Sequence, residues 1–331
     1  MAEKEATYYQ TLPDGRILCT LCPQACRLGE GESGRCRGRV AHGKKMYTVN
    51  YGRVSAVALD PVEKKPLYHF YPGSYVLSVG TVGCNLHCQF CQNWRIAHDE
   101  AATEQILPEE LVALAVEAKE KGNIGLAYTY SEPLVWFEYI LETVRLAREQ
   151  GLKNVLVTNG YLNPGPVQEL LPYLDGVNLD LKGPDAFYQK LCGGRLAPVR
   201  KTAELLAGRV HLEVTNLLIP GENDRPEAIE DLVGFLAGLD RRIPLHFSRY
   251  FPQYRLNIPP TPFATLEEAY RLAREKLDYV YLGNVADPRY SATHCPRCGA
   301  VLVERLFYGV KLGGIKDGHC AACGKEVDII Q

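Results

Sequence analysis

Cys84, Cys88 and Cys91 stand in C-x3-C-x2-C spacing within GTVGCNLHCQFCQNW, residues 80–94. No fourth cysteine follows within reach of this loop. Three thiolates suit a cubane iron–sulfur cluster with one iron left open, since a closed ferredoxin-type cluster takes four. An open iron is a place to bind and activate something. A closed zinc site would need a fourth ligand, and His87 and His98 are the neighbours that offer one. Spacing alone also allows three reduced core thiols.

The chain has twelve cysteines, and their grouping matters more than the total. Sets of four, three and four read as metal sites rather than disulfides in an apparently cytosolic chain. The solitary Cys192 reads as a packing residue. Cys19, Cys22, Cys26 and Cys36 form a C-x2-C-x3-C-x9-C array among Gly29, Gly31 and Gly34, whose tight turns would wrap an ion. That array suits zinc or a second iron–sulfur cluster. Cys295, Cys298, Cys320 and Cys323 are paired C-x2-C knuckles, a zinc-ribbon pattern, with VLVERLFYGV between them as a strand. About 40 residues with few large apolar side chains need the metal to hold a fold. Arg297, Arg305, Phe307, Tyr308, Lys311 and Lys316 fit a surface for phosphate or a partner protein, and equally a solvated ribbon face. On the first reading the ribbon is a docking module whose removal spares the core.

The elements that must position these cysteines follow from pattern. Strands are expected at 76–80, 124–130, 154–158, 176–181, 210–218 and 243–250. Helices alternate with them at 108–121, 133–150, 166–173, 184–206 (in two pieces) and 226–236. Pro108, Pro133, Pro166, Pro184 and Pro226 sit near helix starts, where a missing N–H costs nothing. Gly122 and Gly151 follow helix ends as caps. Six β/α units imply a parallel sheet with right-handed crossovers, as an open barrel or a doubly wound sheet. A helix at 266–276 and a strand at 279–282 would extend it. Residues 46–59 read as a hairpin joined at Asn50–Gly52, and DPVEKKPLYHFYPGS (60–74) as a solvated connector with a few anchoring rings. The domains expected are 1–72, a Cys-rich segment and hairpin; 73–292, the α/β core; and 293–331, the ribbon.

The 331 residues are 46% hydrophobic and 23% charged, ordinary for a globular protein. A net charge of −2 gives no overall attraction to nucleic acid. No apolar run approaches the ~20 residues that span a bilayer, and MAEKEATYYQ has no apolar signal region. A cytoplasmic location, with no membrane partner, is the expectation.

Ligands of parallel β/α folds sit beyond the C-terminal ends of the strands. Successive strand ends there carry Ser131-Glu132, Thr158-Asn159, Asp180 and Lys182, then Thr215 on the fifth strand and His246 and Arg249 on the sixth. Each has a plainer reading: Glu132 as a helix cap, Asp180–Lys182 as an ion pair, Thr158-Asn159-Gly160 as a turn. Their gathering at one rim beside the cysteine loop favours cofactor binding.

The C-x3-C-x2-C loop, with Phe90 just before its third cysteine, resembles the signature of the radical SAM superfamily. The resemblance implies a partial (β/α)6 barrel, a 4Fe-4S cluster on Cys84, Cys88 and Cys91, and S-adenosylmethionine chelated by the open iron and cleaved to a 5′-deoxyadenosyl radical. Phe90 would pack by the adenine. Tyr130-Ser131-Glu132-Pro133 looks like the family's Gly-Gly-Glu-Pro motif, which assigns Ser131 and Glu132 to the methionyl amino group. Thr158, Asn159, Asp180, Lys182 and the IPGEND segment resemble glycyl-radical-enzyme activases, although Thr215 stands where that group has a cofactor-contacting arginine. The N-terminal array, residues 60–74 and TYSEP together most resemble the radical SAM component of the AmmeMemoRadiSam system. That likeness implies Memo-like and AMMECR-type partners, a single-electron reductant such as flavodoxin or ferredoxin, and a macromolecular substrate, an RNA base being one option. Glycyl-radical-enzyme activation is the alternative. A metal-stapled module that binds nucleic acid or protein without S-adenosylmethionine is the rival outside catalysis.

Overall fold

The computed structural model describes residues 4–331. Its centre is one eight-stranded sheet: β1 (Ala56–Pro61), β2 (Tyr75–Gly80), β3 (Asn123–Tyr128), β4 (Lys153–Thr158), β5 (Gly176–Asp180), β6 (His211–Leu218), β7 (Leu245–Arg249) and β8 (Val280–Gly283). Strands neighbour one another in strict chain order, β2 to β8 parallel and β1 antiparallel to β2. A doubly wound sheet reverses its strand order, whereas right-handed crossovers in unbroken order put every helix on one face. The order therefore selects the barrel-type arrangement, and β8 does not pair with β1 to close it.

Helices α1 (Pro108–Glu117), α2 (Phe137–Glu149), α3 (Pro164–Leu170), α4 (Leu196–Leu206), α5 (Pro226–Asp240) and α6 (Phe263–Arg274) follow the strands. Prolines open α1, α3 and α5, and Gly122 and Gly151 adopt the left-handed φ of +84° and +65° that ends a helix. The stretch expected as two helical pieces is a short turn at 185–187, a π-helix at 188–192, then α4.

Two local expectations change. Residues 46–59 form no hairpin: Lys45–Thr48 pairs with Arg39–His42, Arg53–Val54 pairs with Glu104–Gln105, and β1 joins the main sheet. Nor is 60–74 solvated. Asp60, Glu63, Lys65, Leu67, His69 and Phe70 are all buried. This segment crosses the inner face of the barrel, where the Asn178 amide donates to the Pro66 carbonyl at 2.8 Å and the His69 N–H to Glu213 at 2.7 Å.

The lower half of the barrel is thereby filled by a polar network. Glu213, fully buried, also accepts from His211 Nε2 at 2.9 Å and His246 Nε2 at 2.6 Å. Burial works against its charge, but the two histidines hold its carboxyl well below the usual range. Burial pushes His69 down to about 3, so its ring is neutral and its bonds have a direction. Nδ1–H donates to the Asp328 carbonyl at 2.7 Å, and Nε2 accepts from the Tyr281 hydroxyl at 2.6 Å. Tyr281 in turn meets Thr293 Oγ1 at 2.9 Å, and Arg305 donates to the same oxygen at 2.7 Å.

The C-terminal unit is thus wired into the barrel floor. Arg305, read from sequence as a docking residue, is 2% exposed; it lies over the Tyr68 ring and donates to the Tyr68 carbonyl. The final residues add an edge to the 60–74 segment, with Tyr71 N–H donating to the Ile330 carbonyl and Ile330 N–H to the His69 carbonyl, both 2.8 Å. The stretch read as one ribbon strand is two, Val301–Leu306 and Gly309–Leu312, joined at exposed Phe307 and Tyr308. No helix of the described residues is long and apolar enough to cross a membrane.

Candidate active site

The cysteine loop leaves the end of β2 and is held from both sides. The His87 and Gln89 N–H groups donate to the carbonyls of Cys192 and Leu191 in the π-helix, at 2.8 and 2.9 Å. Gly83 has φ +98°, and a Cβ there would fall 2.2 Å from the Cys36 carbonyl, so only glycine lets the N-terminal array press this close. Cys88 is buried, while Cys84 and Cys91 are partly accessible. Phe90 is buried against Phe187, with ring centroids 5.5 Å apart.

Next to the loop, β3 and β4 bring Glu132, Thr158 and Asn159 together. Glu132 accepts from Thr158 Oγ1 at 2.6 Å, from the Asn159 N–H at 2.8 Å and from the Leu134 N–H at 3.0 Å. Burial pushes its carboxyl up to about 7 against the pull of those three donors, and the Asp180 carboxylate pushes in the same direction. The Asn159 amide reaches Cys84 Sγ at 3.6 Å and Asn85 Oδ1 at 3.0 Å, linking the turn to the first cysteine. A Cβ on Gly160, at φ +64°, would lie 2.4 Å from Leu179, so this turn too requires glycine. On β5, Asp180 accepts from Lys182 Nζ at 2.7 Å. Lys182 loses solvation, yet Asp180 and Cys88 hold its ammonium well above the ordinary lysine range.

Tyr130 occupies the place of a motif glycine and takes a glycine-like φ of +72°. That conformation costs an L-residue about 1–2 kcal/mol. Its ring is anchored in return: the hydroxyl donates to Asp60 at 2.7 Å, and Lys65 Nζ sits 4.7 Å from the ring centroid.

Not every rim residue joins this group. His246 is spent on Glu213 in the lower half of the barrel. Thr215 donates to Asn178 at 3.0 Å and Arg249 to the Thr261 carbonyl at 2.9 Å. The Ser131 hydroxyl donates to the Thr81 carbonyl at 2.8 Å and can still accept. Cys192, which reads from sequence as a packing residue, is buried and holds the loop through its backbone, its carbonyl accepting from the His87 N–H. Asn85, Asp60 and Lys65 were missed. Only the adjacency of Asn85 to Cys84 was a visible signal.

The donor chemistry fits a cluster and a cationic cosubstrate: three thiols without a fourth cysteine on the loop, beside two carboxylates that repel one another. Among the described residues, Cys295, Cys298, Cys320 and Cys323 are the set whose ligand atoms all close to within 4.8 Å. That spacing suits a single tetrahedral ion with Zn–S bonds of about 2.3 Å.

Residues 78–236 match the model of the radical SAM superfamily. That match, over the segment that carries the cysteine loop, supports the radical SAM superfamily. It is 41% identical to the protein MJ0808 of Methanocaldococcus jannaschii, described only as uncharacterized, over 99% of both chains. It is 26% identical to the pyruvate formate-lyase-activating enzyme of Clostridium pasteurianum over 47% of this chain and 67% of that one. Streptococcus suis SuiB bound to S-adenosylmethionine shares the fold, with a TM-score of 0.51 at 16% identity over 63% of this chain and 52% of that one. The superfamily implies an enzyme with a 4Fe-4S cluster and S-adenosylmethionine.

Proposed function

We propose that this radical SAM enzyme modifies a macromolecule, with Cys84, Cys88 and Cys91 holding the cluster and Glu132, Ser131, Thr158, Asn159, Asp180 and Lys182 holding S-adenosylmethionine. When bound, the pair supplies one-electron cleavage of the sulfonium S–C5′ bond and hydrogen abstraction from substrate. Glu132 would take the methionyl ammonium, Phe90 the adenine edge, and Asp180 with Lys182 the polar groups beyond it. Excluding water and fixing orientation are the protein's share of the work.

The observation that carries the macromolecular reading is the filled barrel. Residues 60–74 and the Glu213 network occupy its lower half, so a reacting group must be offered at the upper rim, as a protruding base or residue is. An RNA base, with Memo-like and AMMECR-type partners, is the substrate reading that accords with the motif resemblance. Glycyl-radical-enzyme activation is the second reading, supported by the similarity to the pyruvate formate-lyase-activating enzyme. The N-terminal Cys19, Cys22, Cys26 and Cys36 would hold zinc or a second cluster. The test is anaerobic holoenzyme with dithionite and S-adenosylmethionine, to which RNA and protein fractions are added. Stimulation of 5′-deoxyadenosine that nuclease treatment removes supports the RNA reading. A glycyl-radical EPR doublet in an added protein would instead establish the second, and no stimulation by either fraction would sink both.

The cofactor assignment carries its own expectation. Glu132→Gln and Asp180→Asn should keep the cluster's visible absorption but weaken S-adenosylmethionine binding by about ten- to a hundredfold, the ~1.5–3 kcal/mol of one hydrogen bond to a charged group. Glu132 binds an ammonium only as carboxylate, so wild-type affinity should fall as pH drops through about 7, and Glu132→Gln should flatten that dependence. Calorimetric titration between pH 6 and 8 (about one unit either side) checks both. Unchanged affinity in both variants would make these residues structural.

A further inference from the structure

Residues 19–37 carry the four cysteines that the proposed chemistry leaves unused, and their fold brings the thiols together. The Cys19 N–H donates to the Cys26 carbonyl at 2.9 Å, and the Arg35 N–H to Cys26 Sγ at 3.5 Å. A Cβ on Gly34 would lie 3.9 Å from both Cys26 Sγ and Cys36 Sγ, so even a methyl group there would touch both sulfurs. Cys19, Cys22 and Cys36 are buried, Cys26 is half-buried, and all are free thiols. Leu21 and Leu28 are the only large apolar side chains of this stretch. That is too little core to hold such a segment in one shape.

Yet the segment grips the active site at every stretch between its cysteines. Gln24 Nε2 donates to the Asn85 carbonyl at 2.8 Å and to the Gly193 carbonyl at 2.9 Å. His87 Nε2 meets the Arg35 carbonyl at 3.3 Å, and the Cys36 carbonyl lies against Gly83. The Asn163 N–H and side-chain amide donate to the Leu21 and Thr20 carbonyls, at 3.1 and 2.7 Å. Three points of the cysteine loop, the end of the π-helix and the segment after the Thr158-Asn159 turn are thus held by one strap. Asn85, which Gln24 fixes, accepts from Asn159 and adjoins Cys84.

We infer that Cys19, Cys22, Cys26 and Cys36 bind a metal centre whose role is to stiffen this strap into a clamp on the catalytic loop. The inference rests on the proposed cluster at Cys84, Cys88 and Cys91. Four-thiolate coordination is common to zinc and to a closed iron–sulfur cluster, and either ties four chain positions to one point. The thiols release their protons to solvent as they bind. A strap with almost no core gains its rigidity from that bond set, as small metal-bound modules do.

The test compares wild type with Cys22→Ser/Cys26→Ser and with Gln24→Ala, each loaded anaerobically with zinc, ferrous iron and sulfide. Elemental analysis gives metal per chain, and calorimetry gives S-adenosylmethionine affinity. The catalytic cluster is followed by the part of the EPR signal that shifts on adding S-adenosylmethionine, while a ferrous chelator strips it. Beyond the ribbon's zinc and the catalytic iron, wild type should hold either one more zinc or about four more irons. The double variant should lose that increment, and its catalytic cluster should be stripped about tenfold faster or more. Gln24→Ala should keep the increment but be stripped about three- to tenfold faster, as two lost hydrogen bonds imply. If the double variant does not fold, Gln24→Ala decides, since it leaves every thiol in place. Loss of the increment with unchanged stripping and affinity would overturn the inference. So would slower cluster reduction by dithionite at an unchanged stripping rate, which would make the array an electron relay. A wild type without the increment would overturn it as well. Iron content that Cys84→Ala does not lower would instead sink the parent reading.

Discussion

Cys84→Ala, Cys88→Ala and Cys91→Ala should each reduce 5′-deoxyadenosine formation by the reconstituted protein to background. Each removes one of three thiolates on a loop with no spare cysteine. Cys192→Ala is the informative contrast. It stands outside the motif and holds the loop through its backbone carbonyl, which accepts from the His87 N–H, so the variant should keep its cluster and form product. Product formation that persisted in all three motif variants would remove the basis for the site.

Loss of the C-terminal unit should be the next largest effect, and in a direction opposite to the one its sequence suggests. Arg305→Ala leaves Glu63, 3.9 Å away and buried, without its cation, and leaves Thr293 without its donor. Breaking a buried pair on one side costs about 3–5 kcal/mol, against a typical total of about 5–15. At roughly 2–4 °C per kcal/mol, Tm should fall by about 10 °C while zinc content holds. Deleting 293–331 removes Thr293, Arg305, Asp328 and Ile330 together, and should cost the barrel its cluster and its solubility. A truncated protein with unchanged Tm and iron would restore the picture of a detachable docking module. Phe307 and Tyr308, at the exposed turn, should tolerate alanine without loss of stability.

The amino-acid sequence by itself determined the chemistry and most of the element order. Cysteine spacing depends on chain connectivity, so the three cysteine groups were visible as written, and the structure closes the C-terminal four to within 4.8 Å. Pro at helix starts and Gly at helix ends marked α1, α2, α3 and α5 because both act through local backbone geometry. The same locality explains the failures. Asn50–Gly52 signals a turn, but strand partners are chosen by surfaces far along the chain, and residues 46–59 divided among three of them. Charge density in 60–74 suggested solvent because a sequence does not show which charges meet. Asp60–Lys65 closes within that stretch, whereas His69 finds Glu213, Tyr281 and Asp328 across more than a hundred residues. Cys192 looked solitary for the same reason. Only the tertiary structure decided that it lies beside the cysteine loop, that His246 serves the barrel floor rather than the rim, and that Arg305 is buried. Each of those outcomes turns on burying a polar group, which a fold tolerates only where a distant partner arrives to satisfy it.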